Sequence, residues 1–321
     1  MATYAPRFDL RLGRPAIVAA VVLVAAIGAV LAPVALLIGP NTAQSAFITI
    51  MLLLSPLRAA QQSSRFAAAG LAVAVALIGF LLGPIGPVAI FPALIAASLA
   101  QAFFRLGEFA TMTRAPVNLL AFAALATTGA ELWQVVLGTL IGAAFTLGLA
   151  RLLPPSDLPP TTGTVRERLV DGLVLAVGAV TIVGLGELLD FPFTGWALLS
   201  FAMIVSVGGD RRTARSVDRV AGTIVGALIA TAVSFAPAPW PLIVAALCGL
   251  LSVAYLRQGS YAVFVTFLTP AVLLTSSNEF DALQLGVGRV EAVLAAAVIA
   301  IVLTTAAGAV RRRRDARTPS P

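Results

Sequence analysis

The sequence alternates between long apolar stretches and short polar segments, and twelve apolar stretches can be counted. The first covers residues 15–38 and the last ends at Val310. A bilayer core about 30 Å thick needs about 20 apolar residues in a helix. Some stretches have only 14 to 18 apolar residues and must extend into the neighbouring polar segments. The pattern predicts an all-α, polytopic transmembrane helical bundle with about twelve spans.

The composition requires a nonpolar solvent for most of the surface. Of the 321 residues, 60% are hydrophobic and only 11% are charged. A soluble domain has about 25% charged residues because its surface must face water. One hydrophobic core cannot bury this apolar surplus, so the lipid bilayer is the expected surrounding.

Arginine occurs in one alternate set of polar segments, and the other set contains no arginine except one. The first set contains Arg7, Arg11, Arg14, Arg58, Arg65, Arg105, Arg151, Arg166, Arg168, Arg211, Arg212, Arg215, Arg219, Arg257, Arg317 and the arginines at 311–314. The other set contains the acidic residues Glu131, Glu187, Asp190, Glu279 and Asp281. The exception is Arg289, which we expect about one turn into the last helix. Cytoplasmic loops are enriched in arginine, so both termini are predicted to be cytoplasmic.

The chain repeats itself at an offset of 152 residues, since residues 104–109 return as 256–261 and Gly70 corresponds to Gly222. Six spans in each half is an even number, which predicts two parallel six-helix repeats. The predicted segments are a cytoplasmic N-terminus (1–14), the first repeat (15–153), a proline-rich cytoplasmic linker (154–167), the second repeat (168–310) and a basic cytoplasmic tail (311–321).

The residue types exclude several functions. All 21 basic residues are arginine, and histidine is absent. A Walker A phosphate loop needs lysine, and histidine-based zinc sites and triads need histidine. No acidic or cysteine cluster has metal or acid–base spacing, so we predict no enzyme activity, metal site or cofactor. The arginines follow membrane topology, so anionic lipid headgroups rather than nucleic acid are their expected partners.

A stripe of small residues follows Arg219. Gly222, Thr223 and Gly226 lie on one face of a helix that we expect to start at Arg219. Such a stripe allows two helices to approach closely in a membrane. The motif is therefore predicted to pack against another helix.

These motifs together resemble those of a known family. They are Gly195-Trp196 at the start of a span, Gly-Gly-Asp-Arg-Arg at 208–212, the Arg219 motif, the segment 255–261 and the Arg289 helix. In this order they resemble the fusaric acid resistance or aromatic acid exporter group of FUSC-like membrane transporters, over about residues 168–310. The resemblance implies export of small, often aromatic, organic acids across the plasma membrane.

Four polar residues inside predicted spans are candidates for binding the anion. Arg114 is expected about two turns into the fifth span, with Asn118 one turn further along the same face. Arg289 and Glu291 are expected near the outer end of the twelfth span. A carboxylate in a nonpolar cavity needs a cationic partner, and arginine offers a two-pronged donor that stays charged.

Three functional interpretations remain open from the sequence. The first is a secondary exporter of organic anions with a cavity between the two halves, the second an anion channel, and the third a non-transport protein of envelope assembly. No acidic residue is placed clearly at mid-membrane, so the coupling ion is undecided. A homo-oligomer is compatible with each of the three.

Overall fold

The structure is a computed structural model that describes residues 8–59, 62–104, 114–152, 164–207, 209–258, 260–275 and 281–315. Twelve α-helices and one short 3-10 helix (Gly83–Ile85) are present in these residues. The helices are α1 (Arg14–Leu37), α2 (Pro40–Ala59), α3 (Gln62–Leu82), α4 (Pro87–Phe104), α5 (Ala115–Ala126), α6 (Leu132–Leu152), α7 (Val165–Leu188), α8 (Thr194–Val205), α9 (Gly209–Ser234), α10 (Trp240–Gln258), α11 (Tyr261–Leu273) and α12 (Ala282–Asp315).

The all-α prediction is confirmed for the described residues, where no strand occurs. Six helices are long and apolar enough to cross a membrane: α1, α3, α6, α7, α9 and α12. Five shorter helices are also apolar. The chain is therefore a membrane protein with several spanning helices, while the number of twelve spans, the two repeats and the orientation stay predictions.

Two helix starts differ from the sequence prediction. The helix that contains Arg219 begins at Gly209, so Arg219 lies about three turns inside it rather than at its start. The polar residues before Arg219 were assigned to a loop, but their spacing is amphipathic and continues the helix. The fifth helix begins at Ala115, so Arg114 is the residue before it rather than two turns inside. Pro116 explains this position, because a helix accommodates proline in its first turn.

Local signals in the sequence set several helix starts. Two helices, α2 and α4, begin with a proline that follows a glycine. These glycines, Gly39 and Gly86, have positive φ. Glycine adopts this backbone conformation without strain, and proline lacks an N–H that the first turn does not need. The seventh helix starts with a capping box, in which Thr164 and Glu167 exchange side-chain-to-backbone hydrogen bonds.

The chain divides into two compact units, which are described separately. The first unit contains residues 29–206 and 302–321, and the second unit contains residues 1–28 and 207–301. The predicted linker at 154–167 lies mostly outside the described residues, as do Arg105 and the side chains at 311–314.

In the first unit, glycines mark the places where helices approach closely. A Cβ at Gly142 of α6 would lie 2.6 Å from the carbonyl oxygen of Ala46 on α2, so the two backbones are nearly in contact. The seventh helix crosses α4 at Gly172, where a Cβ would lie 2.7 Å from Cβ of Ala102. The ring of Phe201 on α8 covers Gly178. These contacts fix α2 against α6 and α7 against both α4 and α8.

In the second unit, α11 packs against both α9 and α10. The small-residue stripe of α9 faces α11: a Cβ at Gly222 would lie 2.5 Å from the carbonyl oxygen of Ala262, and a Cβ at Gly226 would lie 2.6 Å from that of Thr266. Only hydrogen atoms fit between these backbones, which is the geometry that small residues permit.

Large apolar side chains cover the outer faces of the spanning helices. Val18 and Val22 of α1 are 61% and 62% exposed, and Leu228 of α9 is 67% exposed. A soluble monomer rarely exposes large contiguous apolar patches. Lipid acyl chains cover such faces in a membrane protein, which agrees with the hydropathy of these helices.

Candidate functional site

Within the described residues, the buried charged side chains are two arginines and no acid. Arg219 on α9 is 1% exposed and Arg289 on α12 is 2% exposed. Inserting one arginine at the middle of a membrane helix costs about 2.5–3.5 kcal/mol on insertion scales. Ionisable residues within spans are rare and often functional, so these two buried arginines in one unit are the candidate site.

Helix α12 contacts α9 close to Arg289. A Cβ at Gly286, three residues before Arg289, would lie 3.4 Å from Oγ1 of Thr231 and 3.7 Å from Cβ of Ala227, both on α9. Arg219, further toward the start of α9, is near enough for its positive charge to repel that of Arg289. This repulsion is tolerated in the fold, and an anion placed at the pair would relieve it.

Tyr261, the first residue of α11, contacts the arginines from a third helix. Nη1 of Arg219 donates a hydrogen bond of 2.7 Å to Oη of Tyr261. The guanidinium carbon of Arg215 lies 3.3 Å from the centroid of the Tyr261 ring, which is a cation–π contact. Arg289 is also within electrostatic range of Tyr261. We call these four residues, Arg215, Arg219, Tyr261 and Arg289, the arginine cluster.

Several hydrogen-bond donors at this cluster are buried and unused. Nε of Arg215, Nε of Arg219, Oγ1 of Thr223 and Oγ of Ser260 have no hydrogen-bond partner in the part of the chain that the structure describes. Buried polar atoms are nearly always hydrogen-bonded. All four atoms can donate a hydrogen bond, so a ligand that accepts hydrogen bonds would satisfy them.

In the part of the chain that the structure describes, Asp218 is the carboxylate recorded as interacting with the cluster. Asp218, next to Arg219 in sequence, is half-buried and interacts favourably with Arg215. Its single negative charge does not balance three guanidinium groups. The cluster therefore provides an electrostatic environment that favours a bound anion.

The other predicted site residues lie elsewhere. Glu291 is exposed, because it lies two positions after Arg289 and therefore on a different face of α12. Arg114 and Asn118 belong to the first unit. Nη1 of Arg114 donates to the carbonyl oxygen of Met51 at 3.0 Å, and Nδ2 of Asn118 donates to that of Ile48 at 3.1 Å. Both side chains thus fasten the start of α5 to the backbone of α2.

No sequence motif singled out Arg215 or Tyr261 as a candidate for binding the anion. Arg215, Arg219, Gly222 and Gly226 follow the i, i+4, i+7, i+11 spacing of one helix face. This spacing would have identified Arg215, had α9 been extended past its apolar residues. Tyr261 was noted only as part of the repeated segment. Within the described residues, no group of three His, Cys, Asp or Glu side chains could hold a metal ion.

A comparison with protein families supports the resemblance that the motifs indicated. Residues 179–303 match the family model described as fusaric acid resistance protein-like. No curated protein and no solved structure matches the chain. The matched segment contains the whole arginine cluster and α8 to α11, and the family is one of membrane transporters. The predicted similarity to the fusaric acid resistance protein-like transporters is therefore confirmed over residues 179–303.

Proposed function

We propose that this protein is a secondary transporter that exports small organic acids, aromatic acids among them, across the plasma membrane. The arginine cluster is the proposed binding site for the substrate carboxylate. The observation that carries this proposal is the burial of Arg219 and Arg289 together, without a buried acid among the described residues.

The donors of the cluster suit a carboxylate. A guanidinium group presents parallel N–H donors that match two carboxylate oxygens, and it stays charged at any physiological pH. Hydrogen bonds to a charged group contribute about 1.5–3 kcal/mol each. The hydroxyl groups of Thr223 and Ser260 add neutral donors at the same cluster. The positive charge explains selection for anions, and the fork geometry explains selection for carboxylates.

Aromatic rings beside the cluster favour substrates with a ring. The centroids of Tyr261 and Phe264 are 5.7 Å apart in a tilted arrangement, and both residues are on α11. An aromatic substrate could pack edge-to-face on such rings, which contributes about 0.5–1.5 kcal/mol beyond area burial. An aliphatic acid of equal charge would lack this contribution, so aromatic acids are the expected preferred substrates.

The proposed orientation has both termini in the cytoplasm, with twelve spans in two parallel repeats. The alternation of arginine and acidic segments along the sequence supports it. The lengths of the fifth helix of each half also support the repeat. These helices, α5 and α11, have 12 and 13 residues, whereas α6 and α12 that follow them have 21 and 34.

The test is substrate exchange in proteoliposomes at equal pH on both sides. Vesicles preloaded with unlabelled 4-hydroxybenzoate should take up radiolabelled 4-hydroxybenzoate, whereas vesicles without protein should not. Loss of one charge-assisted hydrogen-bond pair corresponds to about 10- to 100-fold in affinity. Arg289→Gln should therefore raise the half-saturating concentration by about that factor, and Arg289→Lys should retain part of the binding.

Arg151→Gln is the matched control, because Arg151 is an exposed arginine at the end of α6. It should exchange substrate like the unmodified protein. Equal loss in Arg151→Gln and Arg289→Gln would refute the assigned role of the cluster. Flux that is electrogenic and independent of preloaded substrate would identify an anion channel instead. Absence of flux for every organic anion would refute transport and favour a role in envelope assembly.

A further inference from the structure

The direction of each side chain of α9 follows from the helices that α9 contacts. Gly222 and Gly226 face α11, because a Cβ on them would lie 2.5 and 2.6 Å from backbone oxygens of that helix. Ala227 and Thr231 face α12, because they lie 3.7 and 3.4 Å from the position of a Cβ at Gly286. A groove between α11 and α12 therefore runs along α9, between these two faces.

Arg219 and Thr223 point into this groove. Successive residues of an α-helix are rotated by about 100° around its axis. Viewed along the axis of α9, Arg219 and Thr223 both fall between the direction of Gly226, toward α11, and the direction of Ala227, toward α12. Their burial agrees with this placement, since each is 1% exposed, whereas Leu228 on the opposite side of the helix is 67% exposed.

Polar groups of the two neighbouring helices reach the same region. Tyr261, at the start of α11, accepts the hydrogen bond from Arg219. Arg289, on α12, is near enough to Arg219 for their charges to repel each other. The hydroxyl of Ser260, the residue before Tyr261, has no hydrogen-bond partner among the described residues. Donors from three helices thus converge on one place.

The hydroxyl of Thr223 differs from those of other buried threonines in this unit. Thr266 and Thr269 of α11 donate to the carbonyl oxygens of Ala262 and Val265, each four residues earlier in the helix. Threonine commonly makes this bond inside a helix. The hydroxyl of Thr223 is buried, and it has no partner in the part of the chain that the structure describes. Buried hydroxyls are nearly always hydrogen-bonded, so this donor indicates an acceptor in the groove.

A small monovalent anion has the chemistry that these groups require. Guanidinium and hydroxyl groups donate hydrogen bonds, and an anion accepts several of them at once. Its negative charge also relieves the repulsion between Arg219 and Arg289. Because Arg219 and Thr223 are almost fully buried, a ligand with an apolar body requires the helices around the groove to separate before it binds. A monoatomic anion requires the least movement of this kind.

We propose that chloride occupies the arginine cluster whenever the organic acid is absent, and that the organic acid displaces it. The displacement rests on the proposed transport function, whereas the chloride site does not. Between transport events, chloride neutralises the buried guanidinium groups and accepts a hydrogen bond from the hydroxyl of Thr223. The substrate carboxylate then takes over the same donors, so chloride and substrate compete.

The experiment measures chloride bound to the purified full chain by equilibrium dialysis against radiolabelled chloride. Thr223→Val keeps the shape of the side chain and removes the hydroxyl, so it should weaken chloride binding by about 10-fold or more, the effect of one hydrogen bond to a charged group. Arg289→Gln should weaken chloride binding at least as much. Arg151→Gln is the matched control and should bind chloride like the unmodified protein, because Arg151 is exposed and lies on α6.

Competition is measured in the same dialysis cells. Added 4-hydroxybenzoate should release the bound chloride. The uncharged analogue 4-hydroxybenzamide has nearly the same shape and should not release it, because it lacks the carboxylate that the guanidinium groups bind. Chloride that stays bound at saturating 4-hydroxybenzoate would overturn the displacement.

Equal chloride binding by the unmodified protein, Thr223→Val and Arg289→Gln would overturn the chloride site. If Arg289→Gln cannot be purified in a folded form, Thr223→Val alone decides. If the unmodified protein binds no chloride but exchanges 4-hydroxybenzoate, the chloride site is overturned and the transport function stands. If it binds chloride in a way that Thr223→Val weakens but exchanges no organic anion, the chloride site is supported and the transport function is refuted.

Discussion

Replacing Gly226 by alanine should separate α9 from α11 and weaken the arginine cluster at the same time. The added Cβ would lie 2.6 Å from the carbonyl oxygen of Thr266, 2.7 Å from Cβ of Thr269 and 3.1 Å from Cδ of Pro270. The first of these is a backbone atom, so no side-chain rotation relieves the contact. The helices must move apart instead.

The size of the movement follows from the contact distances. Ordinary van der Waals contact begins at 3.4 Å, so the contact of 2.6 Å requires a displacement of about 0.8 Å. Overpacking of this kind costs about 1–3 kcal/mol. The hydrogen bond from Arg219 to Tyr261 joins the same two helices and measures 2.7 Å. A similar displacement would lengthen it to about 3.5 Å, beyond the usual range for such bonds.

The assay has two readouts on purified protein: resistance to unfolding by heat or denaturant, and the half-saturating substrate concentration in exchange. Gly226→Ala should lower the resistance to unfolding and raise the half-saturating substrate concentration. Gly249→Ala is the matched control, because a Cβ on that glycine of α10 would meet its nearest neighbour at 3.9 Å. If Gly226→Ala is as stable as Gly249→Ala and binds substrate equally well, the assignment of close α9–α11 packing is refuted.

Three further substitutions test individual contacts. Tyr261→Phe keeps the ring under Arg215 but removes the hydroxyl that accepts a hydrogen bond from Arg219. The affinity for substrate in exchange assays should fall by about 3- to 10-fold, the equivalent of about 1 kcal/mol. Unchanged affinity would exclude the hydroxyl from the site. Glu291→Gln should leave exchange kinetics unchanged because Glu291 is exposed, and a large loss would show that this carboxylate takes part in transport. Asn118→Ala should lower the free energy of unfolding by about 1 kcal/mol because it removes the hydrogen bond to Ile48 on α2, with little effect on substrate affinity in exchange assays. Unchanged stability together with reduced affinity would contradict its structural role.

The sequence predicted the helical membrane architecture well but misplaced the polar ends of helices. Hydropathy indicates which segments are apolar enough to face lipid, so it identified the apolar parts of α1, α7 and α12. It does not indicate how far a helix continues beyond the bilayer. For this reason residues 209–218 were assigned to a loop, although they form the first three turns of α9.

The candidate site could be predicted only in part. Arg289 was selected because it breaks the rule that places arginine on one side of the membrane. Arg215 obeys that rule and Tyr261 carries no charge, so the rule singled out neither of them. Their proximity to Arg219 and Arg289 depends on how α9, α11 and α12 pack, which single-sequence patterns do not encode.

The hydrogen bond between Arg219 and Tyr261 also has a consequence for biogenesis. Of the six long spans, α9 has the lowest hydropathy, 1.4 against 1.8 to 2.8 for the others. As the chain emerges from the ribosome, Arg219 reaches the bilayer 42 residues before Tyr261 does. During that interval the guanidinium group of Arg219 lacks the Tyr261 hydroxyl that accepts its hydrogen bond in the folded protein. We therefore expect stable integration of α9 to depend on the arrival of α11, so that these helices enter the membrane as a cooperative group rather than one at a time.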